Sequence, residues 1–98
     1  MIRHTVLFKW TAEPTDEQKE AAATELAKLP SIVPSVRAFA LGPDAGLGAQ
    51  PNFDFAVTAD FDDKAGYLAY RDDPGHREVV QRYLTPIIAQ RAGVQFEF

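Results

Sequence analysis

The stretch IRHTVLFKW, residues 2–10, alternates at period two. Ile2, His4, Val6, Phe8 and Trp10 share one face, and Arg3, Thr5, Leu7 and Lys9 share the other. Such alternation predicts a β-strand with one face committed to a core. It also sends a histidine into that core, on the face that holds Val6 and Phe8. An imidazole there needs a partner or a purpose, so the remaining elements have to be placed around it.

Working outward, EPTDEQKEAAATELAKLP (13–30) predicts a helix. Thr15 supplies the N-cap and Gln18, three residues on, completes a capping box. Ala22, Leu26 and Leu29 form a thin inward stripe, and Pro30 is expected to end the helix. SVRAFALG (35–42) reads as a second strand, and PDAGLGAQPN (43–52) as a Gly- and Pro-rich loop, long for a hairpin. This loop could serve as a lid or close over the end of a partner's barrel. NFDFAVTADF (52–61) is the cleanest strand, with Phe53, Phe55, Val57, Ala59 and Phe61 on one face. A short helix is expected from Asp62 or Asp63 to about Tyr70. A longer one is expected from Asp73 to about Gln90, bent by Pro86. GVQFEF (93–98) closes the chain as a strand, with Val94, Phe96 and Phe98 on one side.

The order β-α-β-β-α-β predicts an α+β, ferredoxin-like fold: a four-stranded antiparallel sheet with helices on one face. Ninety-eight residues are expected to form one domain, 1–98, with an adequate but modest core.

Composition narrows the function. A net charge of −4 with no Lys/Arg cluster leaves no footprint for nucleic acid or for an anionic membrane surface. No cysteine means no disulfide and no thiolate chemistry. The opening residues alternate too regularly for a signal peptide, and no apolar run reaches the length of a membrane span. The expected location is cytoplasmic.

The second histidine lies in AYRDDPGH (69–76). Asp73 can cap a helix, Pro74 suits the first helical position, and His76 falls at the third. His76 heads an apolar stripe through Val79, Val80, Tyr83, Leu84 and Ile87, so its ring is expected to point inward. Both histidines then face the space between sheet and helices. Burial and a helix N-terminus each disfavour the charged form of His76, leaving a neutral base at pH 7. Tyr70, on the preceding helix, can offer its hydroxyl to the same space. Plainer readings stand beside this one. His4 can be a core-edge histidine satisfied by a neighbour, His76 can tighten its helix start through Asp73 or Tyr70, and Tyr70 can be a packed aromatic. The pairs Asp62-Asp63 and Asp72-Asp73 read as caps and helix-start charges, not as a metal site.

These segments together resemble the stress-responsive A/B barrel (Dabb) domain family over nearly the whole chain. The resemblance rests on residues 2–10, 26–42, 53–76 and 94–98. Within them stand His4 followed by Leu7-Phe8-Lys9, and Tyr70, Pro74 and His76 as a Tyr-x5-His run with proline two before the histidine. The resemblance implies a homodimer whose two sheets meet in a dimeric α+β barrel. One plant member of the family closes a linear polyketide by intramolecular aldol chemistry with no cofactor. Carried over position by position, His76 would be the general base, Tyr70 the donor at the carbonyl, and His4 a pocket histidine that supports substrate binding. The implied ligand is a small hydrophobic carbonyl or phenolic compound. The alternative is a non-catalytic, stress-related or ligand-binding dimer.

Overall fold

The computed structural model describes residues 1–48 and 51–98. Strand β1 (Ile2–Trp10) has the alternating burial its sequence requires, with Ile2, His4, Val6 and Phe8 all buried. It runs antiparallel between two neighbours, β3 (Phe55–Phe61) and β4 (Ile88–Glu97), while β2 (Ala38–Pro43) pairs with the outer side of β3. The order β2-β3-β1-β4 is that of a ferredoxin-like sheet.

Helix α1 (Asp16–Leu26) opens as expected. The Gln18 amide donates to Thr15 Oγ1 at 3.2 Å, and the Thr15 amide donates to Gln18 Oε1 at 2.8 Å. Pro30 does not end this helix, which stops at Leu26. Pro30 instead lies in the first turn of a separate short helix, α2 (Leu29–Ile32), where a missing N–H costs no hydrogen bond. Helix α3 (Lys64–Asp72) is capped by Asp63, which accepts from the Gly66 amide at 2.8 Å.

Boundaries of β2, β3 and β4 differ from expectation. β2 begins at Ala38, because Ser35 docks on α3 by donating to the Gly66 carbonyl at 2.8 Å. Pro43 ends β2 on an edge of the sheet, where it is tolerated. β3 begins at Phe55, because Asp54 Oδ2 is taken by the Trp10 amide at 2.8 Å and Asn52 bonds Asp44 within the loop. The expected helix from Asp73 to Gln90 is much shorter. α4 covers Pro74–Val79, a π-helical turn covers Val80–Leu84 and a 3₁₀ turn Thr85–Ile87. Pro86 cannot donate to the carbonyl four residues back, so the helical run stops at Ile87 and does not merely bend. Residues 88–90, expected in the helix, belong to β4, which also takes in Arg91 and Ala92.

The core fills the space between the sheet and the helices. Phe55, Val57, Ala59 and Phe61 from β3 meet Leu26, Leu29, Val33, Tyr70 and Leu84 from the helical layer. Phe61 and Leu29 are fully buried, and each such side chain contributes about 1.5–3 kcal/mol of transfer free energy. The opposite face of the sheet carries Leu7, Ala40, Ala56, Ala92, Val94 and Phe96, and no described helix packs over it. One ion pair crosses that face: Arg3 grips Asp60, its direct partner on β3, at 2.7 and 2.9 Å, and its guanidinium lies 4.5 Å from the Phe98 ring.

In the loop after β2, Gly46 takes a positive φ of 74°, which glycine alone adopts without strain. Ala49 and Gln50 of the expected 43–52 loop lie outside the described residues. Among the described residues, no helix is long and apolar enough to cross a membrane.

Candidate functional site

The core leaves a cavity of about 200 Å³ between β1 and the helices. His4, Tyr70 and His76 all line it, together with Tyr67, Arg71 and Arg91. Val6, Phe8, Leu26 and Leu84 supply much of the apolar wall. No described residue of the loop after β2 lines this cavity. That loop borders a separate depression with Leu7 and Ala56.

Each ring is held by a different element. β1 presents His4 on its buried face, directly opposite Gln95 of β4. The Gln95 amide nitrogen lies 2.8 Å from His4 Nδ1. An amide N–H can only donate, so Nδ1 accepts and the proton of the neutral ring sits on Nε2. Burial lowers the His4 pKa to about 4, and the positive charge of Arg91 and the nearby His76 push the same way. At neutral pH the ring is uncharged.

Tyr70 and its neighbour Tyr67 come from one face of α3. Tyr70 is buried, with its ring 6.0 Å from His4 and 5.2 Å from Phe61. Burial raises its pKa well above the usual phenol value, with the proximity of Tyr67 adding to this, so the hydroxyl stays protonated. Among the described residues that hydroxyl makes no side-chain hydrogen bond. The Tyr67 ring lies 5.1 Å from His4 and edge-on to Phe61.

α4 presents His76. Asp73 Oδ1 accepts from the amides of Gly75 at 2.8 Å and His76 at 3.1 Å, which fixes the first turn and aims the ring inward. The ring packs on Tyr70 with centroids 4.1 Å apart and planes inclined by 32°. Burial lowers the His76 pKa. The carbonyls of Arg71 and Tyr70 and the Asp73 carboxylate oppose this without reversing it. Neither carbonyl reaches Nδ1 in hydrogen-bonding geometry, and this buried nitrogen has no partner among the described residues. Two neutral imidazoles and a protonated phenol thus surround one apolar hollow.

The acidic pairs serve the backbone and neighbouring cations. Asp63 and Asp73 are caps, Asp62 pairs with Arg37 at 3.0 Å, and Asp72 holds Arg71 at 2.9 Å. Among the described residues, no group of three or more His, Cys, Asp or Glu side chains could hold a metal ion.

Sequence reasoning missed Tyr67, Gln95 and Arg91. Tyr67 stands three residues before Tyr70, a spacing that puts both on one helical face. Gln95 and Arg91 had no such signal, because their strand register on β1 had to be known first.

Fold and cavity define a ferredoxin-like α+β subunit with a histidine- and tyrosine-lined pocket beneath its helices. The family pattern for the stress responsive A/B barrel domain (Dabb) matches residues 2–98, and the chain belongs to that family. A solved dimeric ferredoxin-like protein of unknown function from Thermobifida fusca is 43% identical, with a TM-score of 0.90 over 99% of this chain and 90% of that one. A Dabb family protein from Mesorhizobium loti is 22% identical, with a TM-score of 0.84 over 99% and 95% of the two chains. A hydroxynitrile lyase from Passiflora edulis shares the fold at 18% identity, with a TM-score of 0.85 over 97% and 90%. Curated proteins include no match to this chain.

Proposed function

We propose that this protein is a homodimer in which each cavity catalyses proton transfer beside a carbonyl without a cofactor, in the manner of an aldol-type polyketide cyclase. The observation that carries the reading is the meeting of His4, Tyr70 and His76 around one cavity, with an imidazole that is neutral at pH 7 and only half-buried. In this reaction a nitrogen of His76 removes the proton alpha to a substrate carbonyl. The enolate oxygen accepts hydrogen bonds from the Tyr70 hydroxyl and from Nε2–H of His4. The enolate carbon then bonds to a second carbonyl carbon of the same molecule. The resulting alkoxide takes its proton from the His76 imidazolium, which regenerates the base. No electron is gained or lost overall, so the step calls for no redox partner. A cavity of about 200 Å³ holds a body the size of one six-membered ring, since benzene fits a cavity of about 150 Å³.

Dimerisation is supported by the Thermobifida fusca protein, described as dimeric, and by the uncovered apolar face on which Val94 and Phe96 stand half exposed. The Passiflora edulis neighbour is described as a hydroxynitrile lyase, so this fold can house carbon–carbon bond chemistry.

A second reading is a non-catalytic, ligand-binding or stress-related dimer. The close packing of Tyr70 on His76 favours it, because that contact is also what an ordinary aromatic pair makes. One experiment separates the two. Exchange of the α-protons of phenylacetone in D₂O, followed by NMR, should be accelerated by the wild-type protein and not by His76→Ala. The thermal midpoint of His76→Ala should stay near the wild-type value. Parallel loss of exchange and stability, or no acceleration by the wild type, overturns the catalytic reading.

A further inference from the structure

Beyond the histidine and tyrosine rings and Thr85, the polar lining of the cavity consists of two guanidinium groups, Arg71 from α3 and Arg91 from β4. They are not equivalent. Arg71 is held by Asp72 in a two-pronged contact at 2.9 and 3.1 Å, so its charge is already matched. Arg91 forms no ion pair with any described carboxylate.

Register explains where Arg91 points. It pairs with Phe8, so it shares the helix-facing side of the sheet with His4, Val6 and Gln95. Its charge is felt by all three rings of the site: it opposes protonation of both histidines and favours the ionised phenol of Tyr70. No carboxylate lines the cavity beside it. A cation at the mouth of an apolar pocket, beside imidazoles that carry no charge of their own, leaves the site with an unmatched positive end. A ligand with a single negative group and an apolar body would match both features.

Building on the proton-transfer reading above, we propose that the substrate is an apolar carboxylate, whose carboxylate is bound by Arg91 while its ring or acyl body fills the cavity beside His4, Tyr70 and His76. A guanidinium suits this task because its planar fork meets a carboxylate through two parallel hydrogen bonds. Arg91 is thereby a specificity-determining residue: it fixes which end of the substrate faces out, and so which carbon is presented to His76.

The test is equilibrium binding by calorimetry at pH 7, with benzoate and its neutral isostere benzamide as probes. The wild-type protein should bind benzoate about tenfold or more tightly than benzamide. Arg91→Gln should erase that preference while leaving benzamide affinity within about twofold. Arg91→Lys, which keeps the charge and loses the fork, should restore part of it. Equal affinity for the two probes in the wild type, binding of neither, or a benzoate preference that survives Arg91→Gln would each overturn the proposal. Benzoate has no α-proton, so this readout is independent of turnover. Loss of phenylacetone exchange with the benzoate preference intact would remove the chemistry and keep the ligand class. Exchange intact without any benzoate preference would remove the role of Arg91 alone.

Discussion

Gln95 Nε2 lies 2.8 Å from His4 Nδ1, although 91 residues separate them in the chain. The contact exists because antiparallel pairing sets His4 and Gln95 directly opposite one another, on the side of the sheet that faces the helices. It fixes the tautomer of a neutral ring and turns its N–H toward the cavity. Replacing this donor with a carboxylate should reverse the electrostatics. Gln95→Glu is expected to raise the His4 midpoint by more than about one pH unit, since an adjacent anion favours the imidazolium. The chain has only two histidines, so an NMR titration follows two signals, and His4→Gln identifies which belongs to His4. An unmoved His4 midpoint would show that the pair does not form in solution.

The depressed His4 pKa also makes stability depend on pH. The unfolded ring binds a proton below about 6.5, whereas the folded ring resists it down to about 4. The His4 contribution to stability is therefore full above about pH 6.5 and is lost progressively as pH falls from there to about 4. His76 acts in the same direction. The interval of about 2.5 pH units for His4 corresponds to about 3 kcal/mol. Urea midpoints measured at pH 7.5 and 4.5 should differ for the wild type, and His4→Gln should shrink the difference. A pH slope unchanged in His4→Gln would refute the assignment.

How much of this was legible in the sequence depends on where burial constrains it. β1 and β3 pack one face on the core, so their alternation is written plainly in Ile2–Trp10 and Phe55–Phe61. The capping box at Thr15 and the cap at Asp73 are local chemistry and read directly. The first three residues of β4, Ile88–Gln90, read as the end of a helix, and Arg91 and Ala92 as no element. β4 is an edge strand with nearly every residue exposed in the isolated chain, and nothing enforces a period of two on IAQRAG. Its helix-favouring Ala, Gln and Arg then mislead. The placement of His4, Tyr70 and His76 between sheet and helices followed from local pattern. Their neighbours Gln95 and Arg91 follow only from the β1–β4 register, which no local pattern encodes.

Gly75 offers a test of packing beside the site. In a helix, Gly→Ala ordinarily gains up to about 1 kcal/mol. A Cβ at Gly75, however, would stand 2.8 Å from Cγ2 of Ile32 and 3.1 Å from the capping oxygen of Asp73. The branched Ile32 methyl cannot swing aside cheaply. Gly75→Ala should therefore destabilise by about 1–2 kcal/mol, by denaturant titration. Adding Ile32→Ala, at a site already 42% exposed, should recover part of the loss. A stabilised single variant would contradict this packing.

Asp73 links the backbone of α4 to the direction of the His76 ring. Removing its carboxylate in Asp73→Ala should cost about 1 kcal/mol, the usual worth of an N-cap. It should also slow phenylacetone exchange beyond what that loss of stability explains, because the amides of Gly75 and His76 lose their shared acceptor. Asp73→Asn keeps an accepting oxygen and should hold both stability and exchange near the wild type. An asparagine variant as impaired as the alanine one would assign the effect to charge and not to the cap.

The uncovered sheet face yields the last prediction. Val94 stands opposite Thr5 on that face and is 54% exposed in the isolated chain. A carboxylate there costs a single copy little, since the side chain already meets water. Between two apposed sheets the same carboxylate would be buried, with Arg3 already committed to Asp60, a far larger penalty. Val94→Asp should thus convert a dimer to the 10.8 kDa monomer, measured by size exclusion with light scattering. Its far-ultraviolet circular dichroism should remain that of the folded protein. A variant that stays dimeric with unchanged affinity would move the interface off this face and leave the Leu7–Val94–Phe96 surface without an occupant.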